Sequence, residues 1–287
     1  MNIGYYASGS LEDVLRRAAR SGLDGVELAF SVGSACGLDT WTDADTAKAF
    51  DLMAQTGAKV LTVSSYWDVH LSPDVAVRRL ASKRMRRAIE VAAALGSNVV
   101  TCMAFGDASK RPEEQVDIFG QVFGEYAQWA EKAQVRLGLE NWPGLAMDHG
   151  IQIRNLAYSP AMFERLFEAV PSKAVGLEFD PSHLVWQGAD YVQVIHQFSD
   201  RLVYMHAKDT EVFEKQLAQV GMLGSGWWRY RLPGFGKIDW DAIARALAEV
   251  GYRGGIIIEH EDPVFAGERF DEGLTLAARF LRQVLKS

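Results

Sequence analysis

The chain has 287 residues, 48% of them apolar, and carries 30 basic against 37 acidic side chains for a net charge of −7. That length suits one large α/β domain, expected to cover residues 1–287. The acidic balance argues against a nucleic-acid partner, and no apolar run is long enough to span a bilayer, so no membrane partner is expected. Met1-Asn2-Ile3-Gly4-Tyr5 lacks the charged and apolar regions of a secretory leader, and the expected compartment is the cytoplasm. Cys36 and Cys102 have neither C-x-x-C spacing nor a disulfide framework, and read as buried or incidental thiols in a reducing environment.

Met1 to Ala7 reads as a first strand, followed by Ser10 as a helix N-cap with Asp13 at the third helical position. Leu11, Val14, Leu15 and Ala18 recur at helical spacing, Gly22 stops that helix, and Gly25 to Phe30 is a second strand. The unit then repeats. Helix 47–55 ends at Gly57, before a third strand at Lys59 to Ser64. The long helix from Asp74 to Leu95 ends at Gly96, before a fourth strand at Asn98 to Met103. The basic face of that long helix, from Arg78 to Arg87, reads as solvated. A helix over 112–134 leads into strand five at Val135 to Glu140. Ser159-Pro160 starts a helix running to about Val170, and strand six lies in Val175-Gly-Leu-Glu-Phe-Asp180, closed by Pro181. Helix 190–198 and strand seven at Leu202 to His206 come next. A helix capped by Asp239, strand eight at Gly255 to Glu259 and a last helix over 269–285 complete the chain. Strict alternation of strand and helix, repeated eight times, predicts a closed (β/α)₈ TIM barrel. The glycine signatures of nucleotide-binding folds are absent.

Two connections, 141–158 and 209–238, are too long for turns and belong to the C-terminal rim, where barrel active sites lie. Strands five to eight each end on a metal-compatible side chain: Glu140, Asp180, His206 and Glu259. On a barrel these exits are neighbours. Three carboxylates and one imidazole make an oxygen-rich site suited to a single divalent ion, Mn²⁺ first, with Mg²⁺, Co²⁺ or Zn²⁺ as alternatives. Without a cation, three crowded carboxylates would repel and take up protons. His183 follows the sixth strand exit on the same face, and Trp142, Tyr6, Trp67 and His70 fall near other exits as candidate apolar walls. Glu27 is read as a pocket-lining or structural acid. Trp227, Trp228 and Tyr230 are read as an aromatic cluster that packs within its loop or against a second subunit, which allows a homo-oligomer. His149 and His196 have no spacing that recommends them, and His260 is a candidate for orienting Glu259.

Six stretches, in order, are G-L-D-G-V-E-L (22–28), L-E-N (139–141), F-D-P-S-H (179–183), H-A-K-D (206–209), P-G-F-G-K-I-D-W (233–240) and G-Y-R-G-G-I-I-I-E-H-E-D (251–262). On them the chain resembles the xylose isomerase-like barrels known as sugar phosphate isomerases/epimerases, of the D-tagatose 3-epimerase-like kind. The resemblance implies that Glu140, Asp180, His206 and Glu259 ligate the metal, that Glu140 and Glu259 form the acid/base pair, and that His183 contacts substrate or tunes the site. It implies a small carbohydrate substrate, a ketose or keto-sugar, isomerised or epimerised by proton transfer through a metal-stabilised enediolate. Lys208 is a candidate for a substrate oxygen or for an ion pair with Asp209. Arg229 and Arg231 precede Pro233-Gly234, where the family often places a substrate-binding Arg; the spacing leaves open which one serves, and a surface ion pair is the alternative for either. The competing readings are a metal-dependent lyase or dehydratase acting on a keto-inositol or 3-keto-glycoside, a carbohydrate-recognition protein without turnover, and an endonuclease IV-type nuclease. The last would need further His ligands, yet strand four ends Thr101-Cys102-Met103 with none and only His70 stands near strand three.

Overall fold

Short strands whose side chains alternate between two directions, each followed by an amphipathic helix, bury one face under the helices and turn the other toward a shared axis. In the computed structural model, which describes residues 1–30, 36–145 and 152–286, this yields a closed parallel barrel. Its strands in ring order are β1 (Ile3–Ala7), β2 (Gly25–Ala29), β3 (Lys59–Ser65), β4 (Val99–Cys102), β5 (Arg136–Glu140), β6 (Val175–Phe179), β7 (Leu202–Ala207) and β10 (Ile256–Ile258). Two further strands, β8 (Asp209–Val212) and β9 (Trp228–Arg231), form an antiparallel hairpin outside the barrel.

The helices are α1 (Leu11–Arg20), α2 (Asp43–Thr56), α3 (Val75–Ala94), α4 (Val116–Ala133), α5 (Pro160–Ala169), α6 (Pro181–Gln187), α7 (Tyr191–Gln197), α8 (Glu214–Val220), α9 (Trp240–Glu249) and α10 (Phe270–Val284). Eight of them are the helices expected from the sequence, whereas the one-to-two-turn α6 and α8 are additions. Ser10 and Asp239 cap as their positions require, accepting from the amides of Asp13 and Ala242. Ser159 makes no such side-chain bond, so Pro160 at the first helical position starts α5 without it. Gly22, Gly57 and Gly96, the expected stops, have φ of 71°, 76° and 74°, the left-handed turn that ends a helix at little cost only for glycine.

The main core lies between barrel and helices, with Leu15, Val26, Leu137, Leu177, Phe163 and Leu281 buried in it. A smaller cluster of Val99, Val203, Tyr204 and Ile257, with Tyr6 and Leu61 against it, is separate from that core. At Gly176 the strands approach so closely that a Cβ would sit 2.1 Å from the carbonyl oxygen of Arg201. Cys36 and Cys102 are buried and neither is in a disulfide. Among the described residues no helix is long and apolar enough to cross a membrane.

Candidate active site at the barrel mouth

Glu140 is the last residue of β5, Asp180 follows β6, His206 lies near the end of β7, and Glu259 follows β10. These four strands are consecutive in the ring, so their exits share one arc of the C-terminal rim. Backbone geometry at the rim is fixed by two asparagines. Asn141 bridges adjacent exits, its Nδ2 donating to the Asp180 carbonyl at 2.9 Å while its Oδ1 accepts from the Asp180 amide at 2.7 Å. Asn155 gathers the long connection back under the rim, donating to the carbonyls of Glu140 and Trp142, both at 2.7 Å. Asp180 caps α6 through Oδ1, which accepts from the Ser182 amide at 2.8 Å, and its other oxygen is left for the mouth.

Glu140, Asp180, His183 and Glu259 offer ligand atoms that all lie within 4.8 Å of one another. His183 sits in the first turn of α6, with Nε2 3.1 Å from Glu140 Oε1 and 3.2 Å from Asp180 Oδ2, and with Nδ1 2.8 Å from the Tyr230 hydroxyl. Lys208 is buried, and its ammonium reaches Glu259 at 2.6 Å, Glu261 at 3.1 Å and Asp180 at 3.2 Å beneath the ring of Tyr230. The protein's own groups split these carboxyls. Burial pushes Glu140 up, and the hydrogen bond from His183 offsets only part of that. Burial also acts upward on Glu259, but Lys208 and then His206 outweigh it and draw it down to about 2. Asp180 is held well below the usual carboxylate range, the upward effect of burial being overcome by Lys208 and His183. Two neighbouring carboxyls pushed in opposite directions are the pattern expected of an acid and a base.

His206 joins this mouth to a deeper layer. Its Nδ1 is 3.1 Å from Glu259 and 4.0 Å from Glu140, whereas its Nε2 is 3.1 Å from Glu178 and 3.2 Å from Glu27. The Tyr66 hydroxyl lies 2.6 Å from Glu27 and 2.5 Å from Glu178, and Thr101 donates to Glu27 at 2.9 Å. Burial and then the Glu27 charge push the Glu178 carboxyl well up. Burial acts the same way on Glu27, but His206 outweighs it and brings that carboxyl down. A phenol has one proton, so both short Tyr66 contacts are satisfied when Glu178 carries a proton and donates it to Tyr66, which donates to Glu27.

The donor set fits a divalent cation. Glu140 Oε2, Asp180 Oδ2 and His206 Nδ1 are buried and make no aligned hydrogen bond, although charged neighbours approach Asp180 Oδ2 to 3.2 Å and His206 Nδ1 to 3.1 Å, an arrangement that polar atoms in a protein interior do not normally leave in place. Two carboxylate oxygens and an imidazole nitrogen facing one mouth, with Glu259 beside them, match a hard or borderline ion.

A cleft of about 230 Å³ opens above this cluster, lined by the polar groups of Glu140, His183, Lys208, Glu259 and Glu261 together with Tyr6, Tyr66, Trp67, Met103 and Trp142. Trp67 and Trp142 meet edge to face at 6.0 Å, and Trp67 is 64% exposed at the rim. A second cavity of about 420 Å³ is lined by residues at the opposite, N-terminal ends of the strands, including Asn98, Arg136 and Leu202, and carries no comparable set of acids and imidazoles.

Of the residues singled out from sequence, Glu140, Glu259, His183, Lys208 and Trp142 line the cleft. Asp180 and His206 lie at its base. Arg229 and Arg231 do not line it. Both guanidiniums are drawn into ion pairs on the hairpin, Arg229 with Glu211 at 2.7 Å and Arg231 with Glu211 at 2.6 Å and Asp262 at 2.8 Å. Lys208 does not pair with Asp209, whose oxygens accept from the amides of Thr210, Gly234 and Ile238 and from the Trp240 indole. His260 stacks on Phe270 at 4.2 Å instead of supporting Glu259. His70 is buried against Phe123 and Tyr126, away from the mouth, where a nuclease ligand would be needed. His149 lies outside the described residues. The aromatic loop divides: Trp228 stacks on Trp186 at 5.1 Å, while Tyr230 closes over His183 and Lys208. Sequence reasoning missed Tyr66, Glu178 and Glu261. For Glu178 the available signal was an acid in the middle of an otherwise apolar strand.

Residues 15–284 match the family described as xylose isomerase-like TIM barrel. The inosose dehydratase of Geobacillus thermodenitrificans is 30% identical over 145 residues, which cover 45% of this chain and 47% of that protein. The chain spans about half the length of the first of the curated relatives it matches. Among solved structures, a D-psicose 3-epimerase determined in the presence of D-fructose aligns over 100% of both chains with a TM-score of 0.77 at 19% identity. An IolI protein with a bound zinc atom aligns over 100% of this chain and 98% of its own, with a TM-score of 0.77 at 20% identity. At those identities the likeness is one of fold. With its closed eight-stranded barrel and a match that runs nearly end to end, the chain belongs to the xylose isomerase-like TIM-barrel family.

Proposed function

We propose that the chain is a divalent-metal-dependent isomerase or epimerase that acts on a ketose or keto-sugar by moving a proton at the carbon beside a carbonyl. The observation that carries this reading is the pair Glu140 and Glu259, both lining one cleft with ligand atoms within 4.8 Å of each other and carboxyls pushed in opposite directions. Glu140, Asp180, His206 and Glu259 would hold the ion, for which Mn²⁺ is the first choice, and the ion would supply Lewis-acid polarisation of the substrate carbonyl. One glutamate, ionised, takes the proton from the carbon beside the carbonyl. The other, protonated, returns one from its own side, inverting that centre, or delivers it to the neighbouring carbon, moving the carbonyl. His183, with Nδ1 on Tyr230 and Nε2 on Glu140, orients the Glu140 carboxyl at the mouth beside the substrate. Lys208 keeps Glu259 anionic and presents a charge to substrate oxygens. Trp67, Trp142 and Tyr6 give the apolar face of a sugar ring a wall, while the acids lining the same cleft meet its hydroxyls.

A second reading, dehydration of a keto-inositol, is favoured by the inosose dehydratase relatives. It starts with the same proton removal, after which a hydroxyl on the next carbon leaves as water with a proton from His183 or Lys208. Incubation of the metal-loaded protein with ketoses, 3-keto-glucosides and inososes, followed by mass and NMR analysis of products, separates the two. An isomer of unchanged mass supports the epimerase or isomerase. Loss of one water moves the assignment to dehydratase, and no turnover across the panel with the cation bound counts against both.

A further inference from the structure

The layer beneath the mouth holds two glutamates where a parallel barrel ordinarily packs aliphatic side chains. Glu27, Glu178 and His206 are each 0% exposed, and the apolar cluster that includes Tyr204 and Ile257 lies on the same inward-facing strands. Interior carboxyls are costly unless each oxygen is used. Here one oxygen of each carboxyl faces the same imidazole, Glu27 at 3.2 Å and Glu178 at 3.1 Å from His206 Nε2, and the other meets Tyr66. We propose that Glu27 and Glu178, joined by Tyr66, are positioning residues that hold His206 with Nε2 protonated and Nδ1 turned into the mouth as a cation ligand. The inference rests on the metal-dependent reading above.

The geometry supports a clamp and not a chance contact. Glu27 comes from β2 and Glu178 from β6, which stand on opposite sides of the eight-stranded ring, so the two carboxyls approach Nε2 across the barrel axis. Tyr66, from the end of a third strand, touches both acids, and its hydroxyl lies 3.4 Å from Nε2. A ring flip of the imidazole would remove the N–H from both carboxyls and leave the mouth facing carbon. Nε2 faces Glu27 at 3.2 Å and Glu178 at 3.1 Å, which turns Nδ1 to the mouth, 3.1 Å from Glu259 and free to offer its lone pair to a cation held there. Thr101 reinforces Glu27 from β4, so four strands contribute to the orientation of one side chain.

The test is calorimetric titration of the full chain with Mn²⁺ and Zn²⁺, for wild type, Glu27→Gln and the Glu27→Gln/Glu178→Gln double variant. We expect cation affinity to fall about ten- to a hundredfold in Glu27→Gln and further in the double variant, with circular dichroism and unfolding temperature close to wild type. In Zn²⁺-loaded protein labelled with ¹⁵N-histidine, His206 should give a slowly exchanging, low-field Nε2–H resonance in wild type that is lost in the double variant. A purely structural role for the two acids would not move that resonance. If the variants fail to fold, the wild-type spectrum alone decides: coordination through Nε2 or a rapidly exchanging N–H overturns the proposal. Unchanged affinity in both variants overturns it while leaving the metal-dependent reading intact, and absence of cation binding by wild type overturns both.

Discussion

Glu178 and Asp180 stand two positions apart at the end of one strand, as do His206 and Lys208 on the next, and each pair contributes one side chain to the deep layer and one to the mouth. The two-residue period of a β-strand produces that stacking. It also explains what could be read in advance. The mouth residues Glu140, Asp180 and Glu259 were legible because an acid at a strand exit breaks an apolar run at a recognisable place. Glu178 and Tyr66 were not, because their meaning depends on partners from distant strands. Arg229 and Arg231 stand outside the cleft for a related reason: a loop arginine is equally suited to substrate or to a carboxylate, and of these two readings the ion pair is the one formed here, with Glu211 and Asp262. At the cleft rim, Trp67→Ala should raise KM about fivefold with kcat little changed, since the exposed ring offers stacking worth about 1 kcal/mol and no chemistry. Steady-state kinetics on the substrate found in the panel checks this, and a fall in kcat alone would contradict it. Away from the site, burial holds the His70 imidazole down to about 4, against 6.5 in an exposed chain. The unfolded chain therefore binds the proton more readily than the folded one. The resulting stability is complete above pH 6.5 and is lost as pH falls toward 4, by roughly 3 kcal/mol. Denaturant unfolding at pH 7 and pH 4.5 should show a smaller acid loss in His70→Phe than in wild type, and parallel losses would contradict the assignment.

The element least visible in the sequence is the hairpin of β8 and β9, read only as a long connection between strand seven and the helix capped by Asp239. Its strands are four residues each and mostly charged or aromatic, without the alternation that marks a half-buried strand. Pairing within the hairpin and packing on α6 create it, through the Trp186–Trp228 stack and the Tyr230 contact to His183. Helix α6 was hidden for a different reason. Pro181 was read as a strand terminator when it is also the first residue of a short helix capped by Asp180. Asp209 ties down both ends of the hairpin excursion through four donors. Asp209→Ala should therefore cost about 3 kcal/mol by leaving those donors without an acceptor, and should lower kcat/KM by loosening Tyr230. Unfolding curves together with kinetics of the same variant check both effects. Loss of stability with full activity would show that the hairpin does not position the site.

Across the whole molecule, the barrel was legible because strand–helix alternation and glycine helix stops repeat around the full ring, and no single misread element breaks that pattern. The concentration of acids at one end was legible only as a convergence of exits. The deeper reason for it, a cation that relieves their mutual repulsion, predicts that binding and stability are linked. Mn²⁺ at a hundred times its Kd should stabilise the fold by about 2.7 kcal/mol, and chelation should reverse the gain. A melting temperature indifferent to divalent cations would count against a resident ion. The central claim, that Glu140 and Glu259 exchange a proton with a carbon beside a carbonyl, is tested most directly by solvent deuterium incorporation. In D₂O with the cation bound, the substrate should gain deuterium at that carbon in wild type and lose this exchange in both Glu140→Gln and Glu259→Gln. Turnover without deuterium incorporation, or exchange that survives in either variant, would contradict it.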